Sequence, residues 1–145
     1  MVAFHVTALA TPSGDTPRDW IGNKLRGYAV DVAAIGVTTG LTRTLKSAVG
    51  RERPNGEDER SFPSGHTAVA AVHNRLASRN LQSIDMNRGG RRALDAGLDA
   101  LTVGTSWARI EAGWHYPSDT LFSASLGAFF AAFFNDAFMG LGGPD

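Results

Sequence analysis

The sequence predicts an all-α protein, a compact bundle of about five to six helices. Three observations lead there. Apolar residues recur at helical spacing through most of the chain, Gly, Pro and Asn cluster at a few positions that cut it into helix-length pieces, and almost no stretch alternates apolar with polar residues as a half-buried strand does. With 145 residues, 43% hydrophobic and 19% charged, the chain suits one globular domain over 1–145, with residues 1–19 peripheral to it.

The elements follow in order. Residues 2–10 form a short apolar patch interrupted by His5 and Thr7, without the basic start of a signal peptide. Residues 20–49 read as one or two helices rich in Ala, Val and Leu, with Gly36 and Gly40 as weak points or close-packing sites. Residues 50–62 hold Arg51, Glu52, Arg53, Asn55-Gly56 and the acidic run 57–59, and read as a polar loop. Pro63-Ser64-Gly65 then opens an Ala- and Val-rich helix to about Ser78, and Asn87-Arg88-Gly89-Gly90 reads as a second break. From Arg91, Leu94, Leu98, Leu101, Trp107 and Ile110 recur at helical spacing, with Asp95 and Asp99 on the wet face. Residues 113–117 end that helix, and Pro117 suits the first turn of the last one. There Phe122, Leu126, Phe129, Phe130, Phe133, Phe134 and Phe138 form a wide stripe expected to face the core. The uncharged runs 32–42 and 120–135 fall short of the roughly 20 apolar residues that cross a bilayer, so buried core helices are expected, ahead of helices dipping into a membrane surface.

Composition also excludes. Fourteen basic residues balance fourteen acidic ones, which argues against a duplex nucleic-acid partner, whose affinity rests on excess cations. The absence of cysteine removes disulfides, thiolate metal sites and cysteine nucleophiles.

Three clusters carry chemistry. Lys46 and Arg53 stand seven apart, with Pro54 after the arginine; a guanidinium fork matches phosphate oxygens and the ammonium adds a point charge, although alone such a pair usually marks a solvated helix end. Pro63-Ser64-Gly65-His66 at a loop-to-helix junction offers a hydroxyl, a glycine that lets an anion approach the backbone, and amide donors at a positive helix end. Near them His66, with an ordinary pKa of roughly 6.5, can hold a proton for a leaving group, although Ser64 would also serve as an ordinary N-cap. Arg109, His115 and Asp119 form the third cluster: the carboxylate falls near the imidazole across a turn, where it can take one ring N–H and leave the other nitrogen free as a nucleophile. A His–Asp pair at a helix start is the plainer reading of that spacing.

Taken in order, Lys46-x6-Arg53-Pro54, Pro63-Ser64-Gly65-His66 and Arg109-x5-His115-x3-Asp119 resemble the three-part signature of the type 2 phosphatidic acid phosphatase family, which also holds bacterial acid phosphatases and vanadium haloperoxidases. The resemblance spans residues 46–119. It departs from the pattern where Ala108 stands in place of the usual Ser, and the loop between the first two blocks is short, as is the stretch before Lys46, which suits a minimal or truncated core.

The resemblance implies a metal-independent phosphatase with a helical fold of that type. His115 would be the nucleophile, Asp119 its orienting partner and His66 the acid. Lys46, Arg53, Ser64, Gly65 and Arg109 would bind the phosphate. No cofactor and no metal is implied; vanadate would bind as a phosphate mimic. The substrate would be a phosphorylated small molecule or a lipid or isoprenoid phosphate, at the cell envelope or periplasm and in contact with a membrane surface. A vanadium-dependent haloperoxidase using the same pocket is the second reading, and a non-catalytic phosphate- or membrane-binding module the third. His73, seven residues after His66, reads as structural, and His5 takes no role.

Overall fold

Four α-helices and one short 3₁₀ turn make up residues 17–139, the part of the chain that the computed structural model describes: α1 Pro17–Val49, α2 Gly65–Asn80, the turn Leu81–Ser83, α3 Arg88–Glu111 and α4 Pro117–Met139. No strand occurs among the described residues, so the fold is all-α. The helix count is four there, against the five to six expected. The patch at 2–10 and His5 lie outside the described residues.

α1 runs unbroken for 33 residues. A glycine costs a helix interior about 1 kcal/mol, too little at Gly36 and Gly40 to interrupt a helix packed on both α2 and α4. A Cβ at either position would meet nothing, so neither is a close-packing site. That role falls to Gly127 on α4, where a Cβ would stand 2.5 Å from the Ala68 carbonyl oxygen and 2.8 Å from the Val72 nitrogen of α2.

Close approach at Gly127 decides which way α4 faces. Its buried side is Asp119, Thr120, Ser123, Gly127, Ala131 and Asn135, nearly all small or polar and repeating every three to four residues. The Phe stripe does not form the core as expected: Phe122, Phe129, Phe133 and Phe138 are exposed, and only Phe134 packs against the central cluster of Ala34, Val72, Leu76 and Ala131. Nor is the run 120–135 a buried core helix. α4 is long and apolar enough to cross a membrane by length and composition, and most of its apolar surface points outward.

α3 begins earlier than expected. Asn87 is its N-cap, its side chain accepting from the Gly90 amide at 2.7 Å, so Arg88 to Gly90 form the first turn instead of a loop. Its face is also rotated from the expected one. Asp95 accepts from Ser78 at 2.6 Å and Asn74 donates to the Leu98 carbonyl and to Thr102, which draws these positions toward α2. Leu101 and Trp107 consequently stand in the open. Asp99 is exposed as expected. A buried polar pin joins α1 to α2, Asn80 Nδ2 donating to Asp31 Oδ2 at 2.8 Å.

Candidate active site

All four helices bring one end to the same place: α1 arrives with Lys46, α2 departs from Gly65 and His66, α3 arrives with Arg109, and His115 lies two residues before α4. A cleft of about 590 Å³ opens between them, lined by these five residues together with Arg53, Arg43 and Trp114. The structure thus brings six of the eight residues singled out from the sequence around one cleft. Asp119 and Ser64 are fully buried and absent from that lining.

The turn that delivers His115 depends on Gly113. Its φ of +69° lies in the left-handed region, and its N–H donates to the Ile110 carbonyl at 2.9 Å, ending α3 as a glycine at this position commonly does. The carbonyl of Gly113 in turn accepts from Asn55 N–H at 3.0 Å, which ties this turn to the loop carrying Arg53.

His115 is 3% exposed. Its Nδ1 lies 2.5 Å from the Ser61 carbonyl oxygen, an acceptor only, so Nδ1 carries the proton and Nε2 is the nitrogen left with a lone pair. Asp119 Oδ2 is 4.0 Å from Nδ1, and the ring N–H expected to go to that carboxylate goes to a backbone carbonyl instead. The physical reason is that Asp119 Oδ2, the oxygen nearest the ring, already accepts two hydrogen bonds. The carboxylate accepts from Ser61 Oγ at 2.5 Å, from the Tyr116 amide at 2.9 Å and from Arg51 Nη1 at 2.7 Å. Burial, with Lys46 and Arg53 adding to it, depresses the His115 pKa to about 4 against the pull of the Ser61 carbonyl and Asp119.

His66 stands exposed on the first turn of α2, its pKa lowered by partial burial and by Arg109 and Lys46. Gly65 beside it presents backbone to the cleft at the positive end of that helix. Ser64 occupies the N-cap position, yet its hydroxyl caps nothing; it accepts from Thr67 Oγ1 at 3.1 Å.

The cations are individually tethered. Lys46 Nζ donates to the Arg60 carbonyl, and burial, Arg53 and Arg60 lower its pKa. Arg53 Nε lies 2.7 Å from Asp58 Oδ1, an ion pair without hydrogen-bond alignment. The guanidiniums of Arg53 and Arg109 pack on one ring, Trp114, at 4.5 and 4.6 Å from its centroid, and Arg109 Nε is buried without an acceptor among the described residues. Such a set of fixed, incompletely satisfied donors is suited to an oxyanion. Ala108, where a hydroxyl was anticipated from the resemblance, is exposed.

Sequence reasoning missed Arg51, Ser61 and Trp114. Arg51 reads from the sequence as one charge of the polar loop, but it pairs with Asp119 and stacks 4.1 Å over the Tyr116 ring. His73 Nδ1 lies 2.7 Å from the Val69 carbonyl oxygen, and His73 does not line the cleft.

The sequence model of the PAP2 superfamily matches residues 28–140, a span that takes in every residue of the cleft. No curated protein and no solved structure matches the chain.

Proposed function

Since this chain belongs to the PAP2 superfamily, we propose that its cleft hydrolyses phosphate monoesters without a metal, through a phosphohistidine on His115. One observation carries the reading: a buried imidazole with a hydrogen-bonded Nδ1 and a free Nε2 shares a cleft with a second imidazole and three tethered cations. Nε2 of His115 attacks phosphorus as the ester P–O bond breaks. His66 gives its proton to the departing alkoxide, then takes one from the water whose oxygen breaks the N–P bond and releases phosphate. Lys46, Arg53 and Arg109, with the Gly65 amide, bind the non-bridging oxygens and stabilise the charge that grows on them. Asp119 acts at one remove, by holding the Ser61 segment that holds the ring. Ser64 supports the start of α2 from behind the wall.

The alcohol portion would lie along Thr39, Thr42, Val69, Ala70 and Thr105, a wall without acidic groups that continues the cleft between α1, α2 and α3. That lining favours an apolar ester such as a lipid or isoprenoid phosphate. Exposed Phe122, Phe129 and Phe133 on α4, with Leu101 and Trp107 on α3, support contact with a membrane, in keeping with a place at the cell envelope.

The test is a chromogenic phosphomonoester offered in EDTA. Turnover that vanishes in His115→Ala, together with an acid-labile phosphoryl label found on the wild type alone, is the expected result. Full turnover by the variant would remove His115 as the nucleophile. Oxidation of bromide with vanadate and peroxide, in place of hydrolysis, would establish the haloperoxidase reading instead.

A further inference from the structure

Arg51 is absent from the cleft lining, yet it grips both groups that set the His115 ring. Its carbonyl accepts from the Ser61 amide at 2.8 Å, and the Ser61 carbonyl in turn takes the proton on His115 Nδ1. Its Nη1 donates to Asp119 Oδ1 at 2.7 Å and to Ser118 Oγ at 3.0 Å, while the guanidinium lies 4.1 Å over the Tyr116 ring. One half-buried arginine thus ties the loop before α2 to the start of α4 through its main chain and its side chain together.

The charges explain why an arginine is needed there. Asp119 must stay anionic to accept from Ser61, Tyr116 and Arg51, but a buried bare charge is costly, and a carboxylate 4.0 Å from an imidazole favours the imidazolium, which has no lone pair with which to attack phosphorus. Lys46 from α1 and Arg53 from the loop oppose that pull on the ring directly, and His66 of α2 and Arg109 of α3 line the same cleft. Among the described residues, Arg51 is the only Lys or Arg paired with Asp119. It holds Oδ1, whereas Oδ2 is the oxygen toward the ring, so it acts on His115 through the carboxylate.

We propose that Arg51 is a positioning residue that offsets the charge of Asp119, so that this carboxylate can anchor the Ser61 loop without drawing a second proton onto His115. The inference rests on the reading of His115 as the nucleophile and adds to it the group that keeps the nucleophile neutral. It also separates two duties of Asp119, holding a loop through hydrogen bonds and exerting a field on the ring: Arg51 preserves the first and weakens the second.

The experiment is an NMR titration of the His115 ring in the full chain, beside the pH profile of kcat/KM for a chromogenic phosphomonoester in EDTA. Wild type is compared with Arg51→Gln, which keeps a donor for Asp119 but no charge, with Arg51→Met and with Arg51→Lys; the first two are repeated in an Asp119→Asn background. Loss of the charge should raise the midpoint of His115 protonation by about one pH unit, the lower end of what an unscreened opposite charge at this distance does. The acid limb of kcat/KM should rise with it, Arg51→Lys should stay close to wild type, and in the Asp119→Asn background the midpoint should not respond to position 51. Either uncharged variant, if folded, suffices for the comparison. A lower kcat with an unmoved midpoint would overturn the proposal, because Arg51 would then only brace the loop. An equal rise in the Asp119→Asn background would also overturn it, since the arginine would act on the ring directly. A raised midpoint in a protein whose wild type turns over no ester would support the role of Arg51 while removing the phosphatase reading. Turnover by the wild type with no change of midpoint in the variants would overturn that role and leave the phosphatase reading standing.

Discussion

His115 gives its Nδ1–H to the Ser61 carbonyl at 2.5 Å, while the carboxylate of Asp119, four residues along the chain, stands 4.0 Å from the same nitrogen. The ring is thus oriented by a loop whose position Asp119 fixes through the Ser61 hydroxyl at 2.5 Å and through Arg51 at 2.7 Å. Loss of Asp119 should act on the nucleophile indirectly. Asp119→Asn should lower kcat about 100-fold, and Ser61→Ala, which keeps the carbonyl but loses the tether, about tenfold, an effect of roughly 1–3 kcal/mol in each case. Both should leave KM nearly unchanged in steady-state assays. Full activity in Ser61→Ala beside a dead Asp119→Asn would show that the carboxylate meets the ring directly during turnover.

The two imidazoles should confine activity to acid pH. His115 must be neutral to attack, and its pKa near 4 keeps it so above that value. His66 must be protonated to act as the acid, and its pKa lies below the ordinary 6.5. The kcat/KM profile of the free enzyme should therefore be bell-shaped, with its maximum between those limits. Stability runs the other way. A buried neutral histidine binds fewer protons folded than unfolded, so its contribution is complete above pH 6.5 and falls away as pH drops toward 4. Thermal unfolding recorded at each pH separates that loss from the catalytic limb; a flat or rising rate up to pH 8 would be incompatible with His66 as the acid.

Proton donation by His66 should also show in the leaving group. His66→Ala is expected to cost about 1,000-fold with alkyl phosphates and less than about tenfold with nitrophenyl phosphate, because a weakly basic phenolate departs unaided. A steeper dependence of log kcat on leaving-group pKa in the variant is the reading to look for. Parallel slopes for variant and wild type would assign the proton to another group.

Trp114 should matter for binding more than for chemistry. It supports the guanidiniums of both Arg53 and Arg109, contacts worth about 0.5–2 kcal/mol each. Trp114→Leu is expected to raise KM and the inhibition constant of inorganic phosphate about tenfold, with a smaller fall in kcat, and Trp114→Phe should restore part of the affinity. If phosphate inhibits Trp114→Leu as strongly as the wild type, the arginines are held in place without the ring.

Much of this site was legible because its residue types are themselves the signal. Lys46, Gly65, His66, Arg109 and His115 sit beside helix breaks at Gly50, Pro63 and Gly113, and helix ends gather at one end of a bundle. The rest was hidden for physical reasons. The acceptor for His115 is the backbone carbonyl of Ser61, a group that every residue possesses. Arg51 is an arginine in a charged loop until Asp119 is folded against it. Helical periodicity likewise located the apolar surface of α4 without saying which side it faced. The discriminating pattern was the small face of Ser123, Gly127 and Ala131, spaced four apart, which admits α2 more closely than any Phe can.

That close approach gives the fold its most sensitive point. A Cβ on Gly127 would come within 2.5 Å of the Ala68 carbonyl oxygen and 2.9 Å of the Ala71 Cβ, and backbone cannot move aside as a flexible side chain can. α2 would have to shift, and with it the Gly65–His66 end that lines the cleft. Gly127→Ala should destabilise the protein by about 2–3 kcal/mol despite the better helix propensity of alanine, and Gly127→Val by more. Equilibrium urea unfolding gives the stability, and phosphate binding to the folded variant reports on the site. A Gly127→Ala protein as stable as the wild type would mean that α2 and α4 are less tightly apposed than 2.5 Å requires, and the outward orientation of the Phe residues would lose its cause.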